Sequence, residues 1–419
     1  MLRRKIHSGF LGVFHIWKLE MKKIFRDEGI ILFFIIVPLA YPILYTSLYN
    51  PEVLRELPVA VVDNSKSALS REYIRKVDAT PDVSVQSVSV DMPAAKRLMM
   101  EEKVYGIIHI PSDFSTNIMQ AEKQAIVSVF IDMGSLLYYK AIMVANTDVS
   151  LQMNREIKIQ RKSSTEREEQ VYAYPIEYEH INIFNSASGF ASFLIPAVLI
   201  LILHQTLLLG VGLLAGTERE QSRFNDMIAL HKHHRGTLRL ILGKGLAYFM
   251  IYLFNTAYVL FLVPAFFNLP QLGHTFDILL FLIPFLLATV FFSMTLSTLV
   301  QNRETCIVLF VFSSVPLLFI SGISWPSTGI PPFWESVSYL FPSTFGINGY
   351  VRLSSMGAQL HQVKFEFIGL YLQLVFYFIT TFIVYRREIF ISQLHKKHHW
   401  SRLRKIREKA NRTFAKKPL

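Results

Sequence analysis

Four long apolar runs follow one another between residues 188 and 322, and they restrict the chain to a membrane fold. They are separated by short polar breaks and span Phe190–Ala215, Ile241–Phe267, Ile278–Val300 and Ile307–Gly322. A helix needs roughly 20 mostly apolar residues to cross a hydrocarbon core about 30 Å thick. A helix that is apolar on every side must be buried in protein or in lipid. The stretch therefore predicts an integral membrane protein.

Two further apolar runs flank the central four and bring the predicted number of spanning helices to six. The first, Ile30–Leu48, contains Pro38 and Pro42, which a spanning helix tolerates as kinks. It is too long for a cleaved signal peptide, and no small-x-small cleavage site follows it. The last run, Ile368–Tyr385, closes the set. The predicted fold class is a multi-pass α-helical membrane protein with six transmembrane helices.

The distribution of positive charge predicts how these helices are oriented. The excess of Lys and Arg lies in both termini and in the loop Thr217–Arg239, whereas the connection Asn268–Phe276 has neither residue. Because positively charged loops stay in the cytoplasm, both termini are predicted to be cytoplasmic. The net charge of +12 is then explained by membrane topology rather than by nucleic-acid binding.

The polar segment between the first and second spans alternates short apolar strands with amphipathic helices. The predicted strands are Leu57–Val62, Val83–Val90, Val104–Ile110 and Ala125–Ile131, with a further alternating stretch at Pro175–Ile183. The predicted helices are Ser67–Val77, Pro93–Glu102, Asp113–Glu122 and Leu136–Gln160. This alternation is typical of a small α/β domain. The single cysteine, Cys306, excludes an intrachain disulfide, so the inserted extracytoplasmic domain must be stabilised by its core.

The predicted organisation follows from these assignments. It runs from a cytoplasmic tail with an interfacial helix (1–29) through the first span (30–50) to the extracytoplasmic α/β domain (51–187). Spans two to five follow (188–323), with a cytoplasmic coupling loop at 217–240. An extracytoplasmic re-entrant or interfacial segment (324–367), the sixth span (368–385) and a basic cytoplasmic tail (386–419) complete the chain.

Two charged segments are candidates for contact with a cytoplasmic protein. His15–Asp27 is predicted to be an amphipathic helix lying in the cytoplasmic interface; an ordinary positively charged tail remains the alternative. Its polar residues are Lys18, Glu20, Lys22, Lys23, Arg26 and Asp27. The loop after the second span begins with Glu218, Arg219 and Glu220, and its stretch NDMIAL has helical character. Mixed charge on a short loop helix favours protein docking, with a solvated connector as the alternative.

The segment after the fifth span mixes aromatic residues with prolines. Such a composition at the end of a span is typical of interfacial or re-entrant half-helices rather than of a loop in water. The residues of this predicted motif are Gly322, Trp325, Pro326, Trp334, Pro342 and Gly346.

Polar residues inside the predicted spans are candidates for a substrate path, since such side chains usually face the bundle interior. They are His204, Gln205, Asn255, Ser293 and Ser297. Hydrogen bonding between helices is the alternative explanation. It is favoured for the asparagine and the serines, and both interpretations stay open for His204 and Gln205.

The chain lacks the residues for ATP hydrolysis. A phosphate-binding loop needs glycines at fixed spacing followed by Lys and Ser or Thr, and the sequence Gly243-Lys244-Gly245 has neither the upstream glycine nor the hydroxyl residue. No nucleophile-elbow pattern surrounds any serine. Two histidine clusters, at 231–234 and 395–399, lie among Lys and Arg, which disfavours a bound cation. No catalytic residue, cofactor or metal is therefore predicted on this chain.

Several motifs together resemble the type-2 ABC-transporter permease family, in the subgroup with a large extracytoplasmic domain after the first span. They are KLEMKKIFRDEGIILFFIIVP near the N-terminus, LPVAVVDNSKSALSREYIRKVDATP in the inserted domain, Glu218-Arg219-Glu220, and SGISWP…IPPFW…FPSTFGINGY after the fifth span. The resemblance implies a dimeric efflux transporter in the cytoplasmic (inner) membrane of a bacterium. ATP and Mg²⁺ would be bound by a separate ABC ATP-binding subunit.

The resemblance also implies further partners and a set of coupling residues. The partners are a second permease copy or paralogue, a periplasmic membrane-fusion adaptor and the lipid bilayer. The residues that it places in contact with the ATPase are Glu218, Arg219, Glu220, Asn225, Asp226, Met227 and Leu230. The predicted function is export of an amphipathic or hydrophobic compound. The alternative is a non-transporting membrane scaffold or sensor whose extracytoplasmic domain binds a ligand or an envelope partner.

Overall fold

The computed structural model describes residues 2–49, 54–89, 91–120, 123–132, 136–161, 184–185, 189–220, 236–322, 324–325 and 329–414. The chain divides into two compact units. One unit comprises Met1–Asn50 and Asn182–Leu419, and the other comprises Pro51–Ile181. We describe them as the membrane unit and the inserted unit.

Two helices form the N-terminal part of the membrane unit. Helix α1 spans Leu2–Ile24, and α2 spans Glu28–Tyr49 with a π-helical turn near its start. Asp27 caps α2, because its Oδ1 accepts hydrogen bonds from the backbone N–H groups of Gly29 and Ile30. The predicted helix His15–Asp27 was wrong at both ends. The helix begins far earlier, and a turn separates it from the residue that caps the next helix.

The inserted unit is built on a four-stranded mixed sheet. Its elements in chain order are β1 (Leu57–Asp63), α3 (Ala68–Asp78), β2 (Val83–Ser89), α4 (Met92–Met100), β3 (Gly106–Ile110), α5 (Phe114–Met119), β4 (Ser128–Ile131) and α6 (Leu136–Arg161). The strand order is β2-β1-β3-β4. Strand β1 pairs in parallel with β2 and with β3, whereas β3 and β4 are antiparallel.

Both faces of this sheet are covered by helices. On β1, Val59 and Val61 pack in the core that contains residues of α3 and α6. The intervening Ala60 and Val62 pack on the opposite face with Ala95 of α4. Alternating side chains of a central strand therefore face two helical layers, as in other buried parallel sheets. This architecture confirms the predicted α/β domain.

The sequence overestimated three elements of the inserted unit. The strand predicted at Ala125–Ile131 begins only at Ser128, because β4 pairs with β3 opposite Gly106–His109 and the described residues supply no partner strand for Ala125–Val127. The helix predicted at Asp113–Glu122 is the short α5, and the strand predicted from Val104 begins at Gly106. The alternating stretch Pro175–Ile183 lies outside the described residues.

The rest of the membrane unit contains five more spanning helices. They are α7 (Phe190–Glu220), α8 (Thr237–Phe266), α9 (Thr275–Leu299), α10 (Arg303–Ile320) and the span Leu360–Ile391, which consists of a 3-10 turn (Leu360–Val363) and the first part of the last helix, α13 (Lys364–Phe414). Together with α2 they give six candidate spans in the described part of the chain, which confirms the predicted fold class. Helix α7 continues through Glu220, so the coupling loop predicted from residue 217 begins later than expected.

Helix α7 lies at the centre of the membrane unit and is buried without a break from Ile195 to Leu214. Its sequence has apolar residues on every side, and this pattern requires neighbours all round. Helices α8, α9 and α10 contribute residues to the core around it. By contrast, α2, α10 and α13 expose many large apolar side chains, which suits faces turned toward lipid or toward another spanning protein.

Two short helices follow the fifth span. Helix α11 spans Pro332–Ser338 and α12 spans Pro342–Ser354, each with proline in its first turn. Gly322, at the end of α10, has a positive φ of 86°. At Gly346 of α12 a Cβ would lie 2.5 Å from the ring of Phe285, so only glycine permits this close approach to α9. Trp325 and Trp334 are exposed, and Pro326 lies outside the described residues.

The last helix, α13, spans Lys364–Phe414. It is longer than the predicted sixth span because the helix continues without a break into the basic tail. Charged residues end the membrane-spanning part of a helix, but they do not by themselves end the helix.

Candidate functional site

Four charged side chains meet at one end of the spanning helices, and we refer to them as the buried charge cluster. They are Glu20 and Lys23 of α1, Glu218 of α7 and Lys244 of α8. The Nζ of Lys244 lies 3.0 Å from Oε1 of Glu20 and 3.0 Å from Oε2 of Glu218. The Nζ of Lys23 lies 2.7 Å from Oε1 of Glu218. Two carboxylates and two ammonium groups give the cluster no net formal charge.

Three of the four members are almost completely shielded from solvent, and the side chain of Lys23 is 20% exposed. The exposed fraction is 1% for Glu20, 2% for Lys244 and 6% for Glu218. Burying charges at this depth is costly unless each is paired and hydrogen-bonded. The hydroxyl of Tyr248 supplies a further bond, because it donates to Oε1 of Glu20 at 2.5 Å. The formal charges of the cluster are therefore balanced, and removal of any one charged member would leave a net charge in a largely buried site.

The local sequence places these groups on facing helix surfaces. Glu20 and Lys23 are three residues apart on α1, and Lys244 and Tyr248 are four residues apart on α8, so each pair shares one helix face. At Gly243 a Cβ would lie 2.7 Å from Ile16 of α1. The glycine beside Lys244 thus allows α1 and α8 to approach closely enough for their charges to meet.

A second set of bonds is centred on Arg219, the residue after Glu218. Its Nη2 donates to Oε1 of Glu388 on α13 at 3.1 Å. Its Nη1 donates to the carbonyl of Ser297 at 3.3 Å and also to that of Val300. One guanidinium group therefore joins the end of α7 to the end of α9 and to α13.

A third set is centred on Arg303 at the start of α10. Its Nε donates to the hydroxyl of Thr217 at 2.6 Å, and its guanidinium group forms an ion pair with Asp27, the residue that caps α2. The backbone N–H of Arg303 donates to Oε1 of Glu220 at 2.9 Å. The last turn of α7 is thus bonded directly to five other helices, α1, α8, α9, α10 and α13, and through Arg303 it is linked to the residue that caps α2.

The chain was compared with known proteins. A family model described as ABC-2 family transporter protein matches residues 29–383. The chain belongs to the ABC-2 family. This ABC-2 permease is the membrane subunit of an ABC transporter and works with an ABC ATP-binding subunit. The search of curated proteins found no match.

Only part of the network of the ABC-2 permease lies within the residues that the family model matches. Glu218 and Lys244 lie inside the matched residues, whereas Glu20 and Lys23 precede residue 29 and Glu388 follows residue 383. The charges that complete the network in three dimensions thus come from segments on either side of the matched region.

Only some of the coupling and interfacial residues predicted from sequence belong to this network of bonds. Of the predicted ATPase-coupling residues, Glu218, Arg219 and Glu220 take part in the bonds described above. Of the predicted interfacial residues, Glu20, Lys23 and Asp27 do so. Lys18, Lys22 and Arg26 are exposed. The remaining coupling residues, Asn225, Asp226, Met227 and Leu230, lie outside the described residues.

Three members of the network, Tyr248, Arg303 and Glu388, were missed by sequence reasoning. Lys244 was noted beside Gly243 at the start of the third span, where the two resemble part of the family's coupling loop, but no partner was predicted for it. The signal for Lys244 was present, because an isolated charge near the end of an apolar run is unusual and calls for a partner. The partners of Arg303 and Glu388 are distant in sequence, and only the packing of the helices brings them together.

A cleft of about 480 Å³ opens beside the buried charge cluster. It lies between α1 and α7 and is bordered by Lys22, Lys23, Arg26, Asp27 and Glu218. Both charge signs line it, so it suits a polar protein segment better than an apolar ligand.

Two of the predicted substrate-path residues form helix-to-helix or local hydrogen bonds. The Nδ2 of Asn255 donates to the carbonyl of Phe34 at 2.8 Å. Pro38, four residues after Phe34, has no N–H with which to satisfy that carbonyl. The hydroxyl of Ser297 donates to the carbonyl of Met294 at 2.8 Å. These bonds agree with the structural interpretation that the sequence favoured for both residues.

The other three, His204, Gln205 and Ser293, are buried without hydrogen-bond partners among the described residues. The His204 ring lies 5.4 Å from that of Phe292, centroid to centroid. Buried polar atoms are nearly always bonded, so these unpaired groups are unusual. They remain the candidates for a polar ligand or for a partner in another conformation.

Metal binding was also considered. Among the described residues no group of three or more His, Cys, Asp and Glu side chains is arranged to hold a metal ion. The histidines at 231–234 lie outside the described residues.

Proposed function

We propose that this ABC-2 permease is the membrane subunit of an ATP-driven exporter that moves an amphipathic or hydrophobic compound out of the cytoplasm or the inner leaflet. The observation that carries the proposal is the position of Glu218. This residue lies in the last turn of the second span and belongs to the buried charge cluster, and the loop proposed for docking follows Glu220, two residues after it.

The ATP-binding subunit is proposed to dock on the loop that follows Glu220 and on the exposed face of α1. The positive charge of both termini and of this loop supports a cytoplasmic location for that end of the molecule. The mixed-charge cleft between α1 and α7 offers a place for a side chain of the partner. Lys22 and Arg26, at the rim of this cleft, suit acidic groups.

The network would transmit movement of the loop to the spans. A displacement of the end of α7 acts on α1 and α8 through the pairs of Glu218 and Lys244. It acts on α13 through Arg219 and Glu388, and on α10 and α2 through Arg303. Because buried ion pairs resist separation, these helices would move with α7 as one body rather than slide past it.

On the other side of the membrane, the inserted unit is proposed to receive the substrate or to bind a periplasmic adaptor. His204 and Gln205 are proposed to line the substrate path. Their unpaired polar atoms support a role in which substrate, water or a second permease copy supplies the missing partner.

The proposal is tested by co-purification from native membranes in mild detergent, with mass spectrometry and an ATPase assay of the recovered complex. We expect a Walker-motif subunit that is lost when Glu218–Glu220 and Met227–Leu230 are replaced. Lys244→Met should keep the partner bound but reduce ATPase activity, since it breaks the network behind the docking surface. Glu304→Gln, an exposed charge beside Arg303, is the matched control and should change neither.

Two results would contradict the proposal. Recovery of the chain without any ATPase subunit, repeated with cross-linking, would favour the scaffold or sensor. Full ATPase activity in the Lys244→Met complex would show that the buried charge cluster does not transmit movement.

A further inference from the structure

A groove of about 830 Å³ lies between the start of α8 and the end of the spanning part of α13. Its apolar walls include Leu238 of α8 and Phe382, Ile383 and Phe390 of α13. Leu238, Ile383 and Phe390 are exposed although they are large and apolar. The groove is separate from the buried charge cluster and from the cleft beside α1.

Two adjacent arginines, Arg386 and Arg387, line the same groove. Both are exposed. None of the described residues that line the groove is acidic. The nearby carboxylate of Glu388 is bonded to Arg219. The groove therefore combines an apolar wall with two positive charges that no lining residue neutralises.

The groove lies at the end of the bundle where its spanning helices meet the membrane surface. Helix α8 begins at Thr237, and the apolar part of α13 gives way to Arg386 and Arg387 at the same end of the bundle. The arginines thus lie where spanning helices leave the hydrocarbon core, and the apolar wall continues from them along α13 toward that core. Phospholipids present the same order of groups, with a phosphate at the surface and acyl chains below it.

We propose that this groove binds one anionic phospholipid, with its phosphate held by Arg386 and Arg387 and an acyl chain along Leu238, Ile383 and Phe390. Guanidinium groups bind phosphate oxygens in a bidentate manner, which favours arginine over lysine at such a site. Basic pockets between spanning helices at the cytoplasmic surface are suited to anionic headgroups. An anionic headgroup lacks the positive charge that neutralises the phosphate of a zwitterionic lipid, so its net negative charge complements the two arginines.

The bound lipid would stabilise the start of α8. This helix begins at Thr237, and its N-cap residue, Gly236, has no side chain with which to cap it. The lipid would hold α8 against α13 at this point. The inference concerns only lipid binding, so it does not depend on the direction of transport or on the substrate.

The test uses the full-length permease in mild detergent, with native mass spectrometry and thermal unfolding as readouts. Phosphatidylglycerol and phosphatidylcholine with identical acyl chains are added in parallel. We expect a retained phosphatidylglycerol adduct and a raised melting temperature, with little effect of phosphatidylcholine. The double variant Arg386→Gln/Arg387→Gln should weaken phosphatidylglycerol binding by about tenfold or more.

Further variants separate this site from general charge effects. Arg386→Lys/Arg387→Lys keeps the charge and should bind with intermediate affinity. Phe390→Ala should also weaken binding, because it removes part of the acyl-chain wall. Lys364→Gln removes one exposed charge at the other end of the same span and should bind like the unmodified protein; it is compared with the single variant Arg386→Gln.

Three outcomes would overturn the proposal. The first is equal retention of phosphatidylglycerol by the glutamine double variant and the unmodified protein. The second is equal binding of phosphatidylcholine, which would indicate an apolar groove without headgroup recognition. The third is full competition by glycerol phosphate alone, which would indicate a site for a free anion.

Discussion

The Nζ of Lys244 lies 3.0 Å from Oε1 of Glu20, so the third span is ion-paired to the N-terminal helix. Both side chains are buried. Helix α1 is therefore an integral part of the bundle end rather than a tail that only touches the membrane surface.

The first prediction concerns the loss of the cation at the centre of the cluster. Lys244→Met keeps most of the side-chain volume but leaves Glu20 and Glu218 buried without it. We expect destabilisation by about 3–5 kcal/mol, because an unpaired buried charge is costly. Thermal unfolding in detergent measures the effect, with the exposed Lys364→Met as the control. Adding Glu20→Gln to Lys244→Met should recover part of the lost stability, because it removes the unpaired carboxylate. Equal stability of Lys244→Met and the control Lys364→Met would refute the role of the Lys244–Glu20 ion pair.

The second prediction concerns the close contact of α1 with α8. Gly243→Ala places a Cβ 2.7 Å from Ile16 and should push the helices apart. Gly245→Ala meets its nearest neighbour, Phe291, at 3.5 Å, which is an ordinary contact. Both changes raise helix propensity equally, so any difference reflects the contact. Hydrogen exchange of α1 should be faster in Gly243→Ala alone, and equal exchange in the two variants would contradict the prediction.

The third prediction separates transport from stability in the centre of the bundle. His204→Leu removes two nitrogen atoms that have no partner among the described residues. Stability should therefore stay the same or rise, while substrate-stimulated ATPase activity should fall if His204 lines the substrate path. Asn255→Leu is the opposite case. It removes the donor to the Phe34 carbonyl and should destabilise the protein by about 1–3 kcal/mol. A His204→Leu protein with unchanged activity would remove this residue from the proposed path.

The fourth prediction is a pH dependence within the inserted unit. The ammonium group of Lys76 on α3 donates a hydrogen bond to Glu156 on α6 and holds the pKa of that carboxyl below its usual range. The folded pKa is thus depressed. The bond stabilises the fold above the unfolded pKa of about 4.3 and is lost as the pH falls through the lower folded value.

The expected effect is small, below about 1 kcal/mol, because both side chains remain partly exposed to solvent, which screens the pair. Hydrogen exchange of α6 in the full-length protein, after correction for intrinsic rates, should show less protection at pH 3 than at pH 6. Lys76→Met should remove most of this difference. A pH dependence that persists in Lys76→Met would assign it to other groups.

The six spans could be predicted from sequence because the length of an apolar run alone decides whether a helix can cross the membrane. Glu218, Arg219 and Glu220 could be found because they are charges at the end of such a run. The network around them could not, since Lys244, Arg303 and Glu388 meet their partners only through helix packing. The late start predicted for α1 has a similar cause, because amphipathic periodicity marks the packed face of a helix rather than its first residue.

In the inserted unit, the same limit applied to strand ends. The alternation of Ala125–Ile131 extends beyond β4 because a side-chain pattern records burial, whereas strand length depends on the neighbouring strand. Strand β3 begins at Gly106, and β4 pairs with β3 only over Gly106–His109. The identity of the elements was thus encoded locally, but their ends were set by tertiary pairing.

Helix α13 continues unbroken from Lys364 to Phe414, a length of 51 residues. At 1.5 Å per residue it is about 76 Å long, and about 35 Å of it follows the spanning part. Because the helix is continuous, a rotation of its spanning part displaces its C-terminal end. A tilt of the sixth span by about 10° would displace its far end by about 6 Å relative to the membrane surface. A probe attached near Phe414 would therefore report small rotations inside the bilayer as large displacements in the aqueous phase.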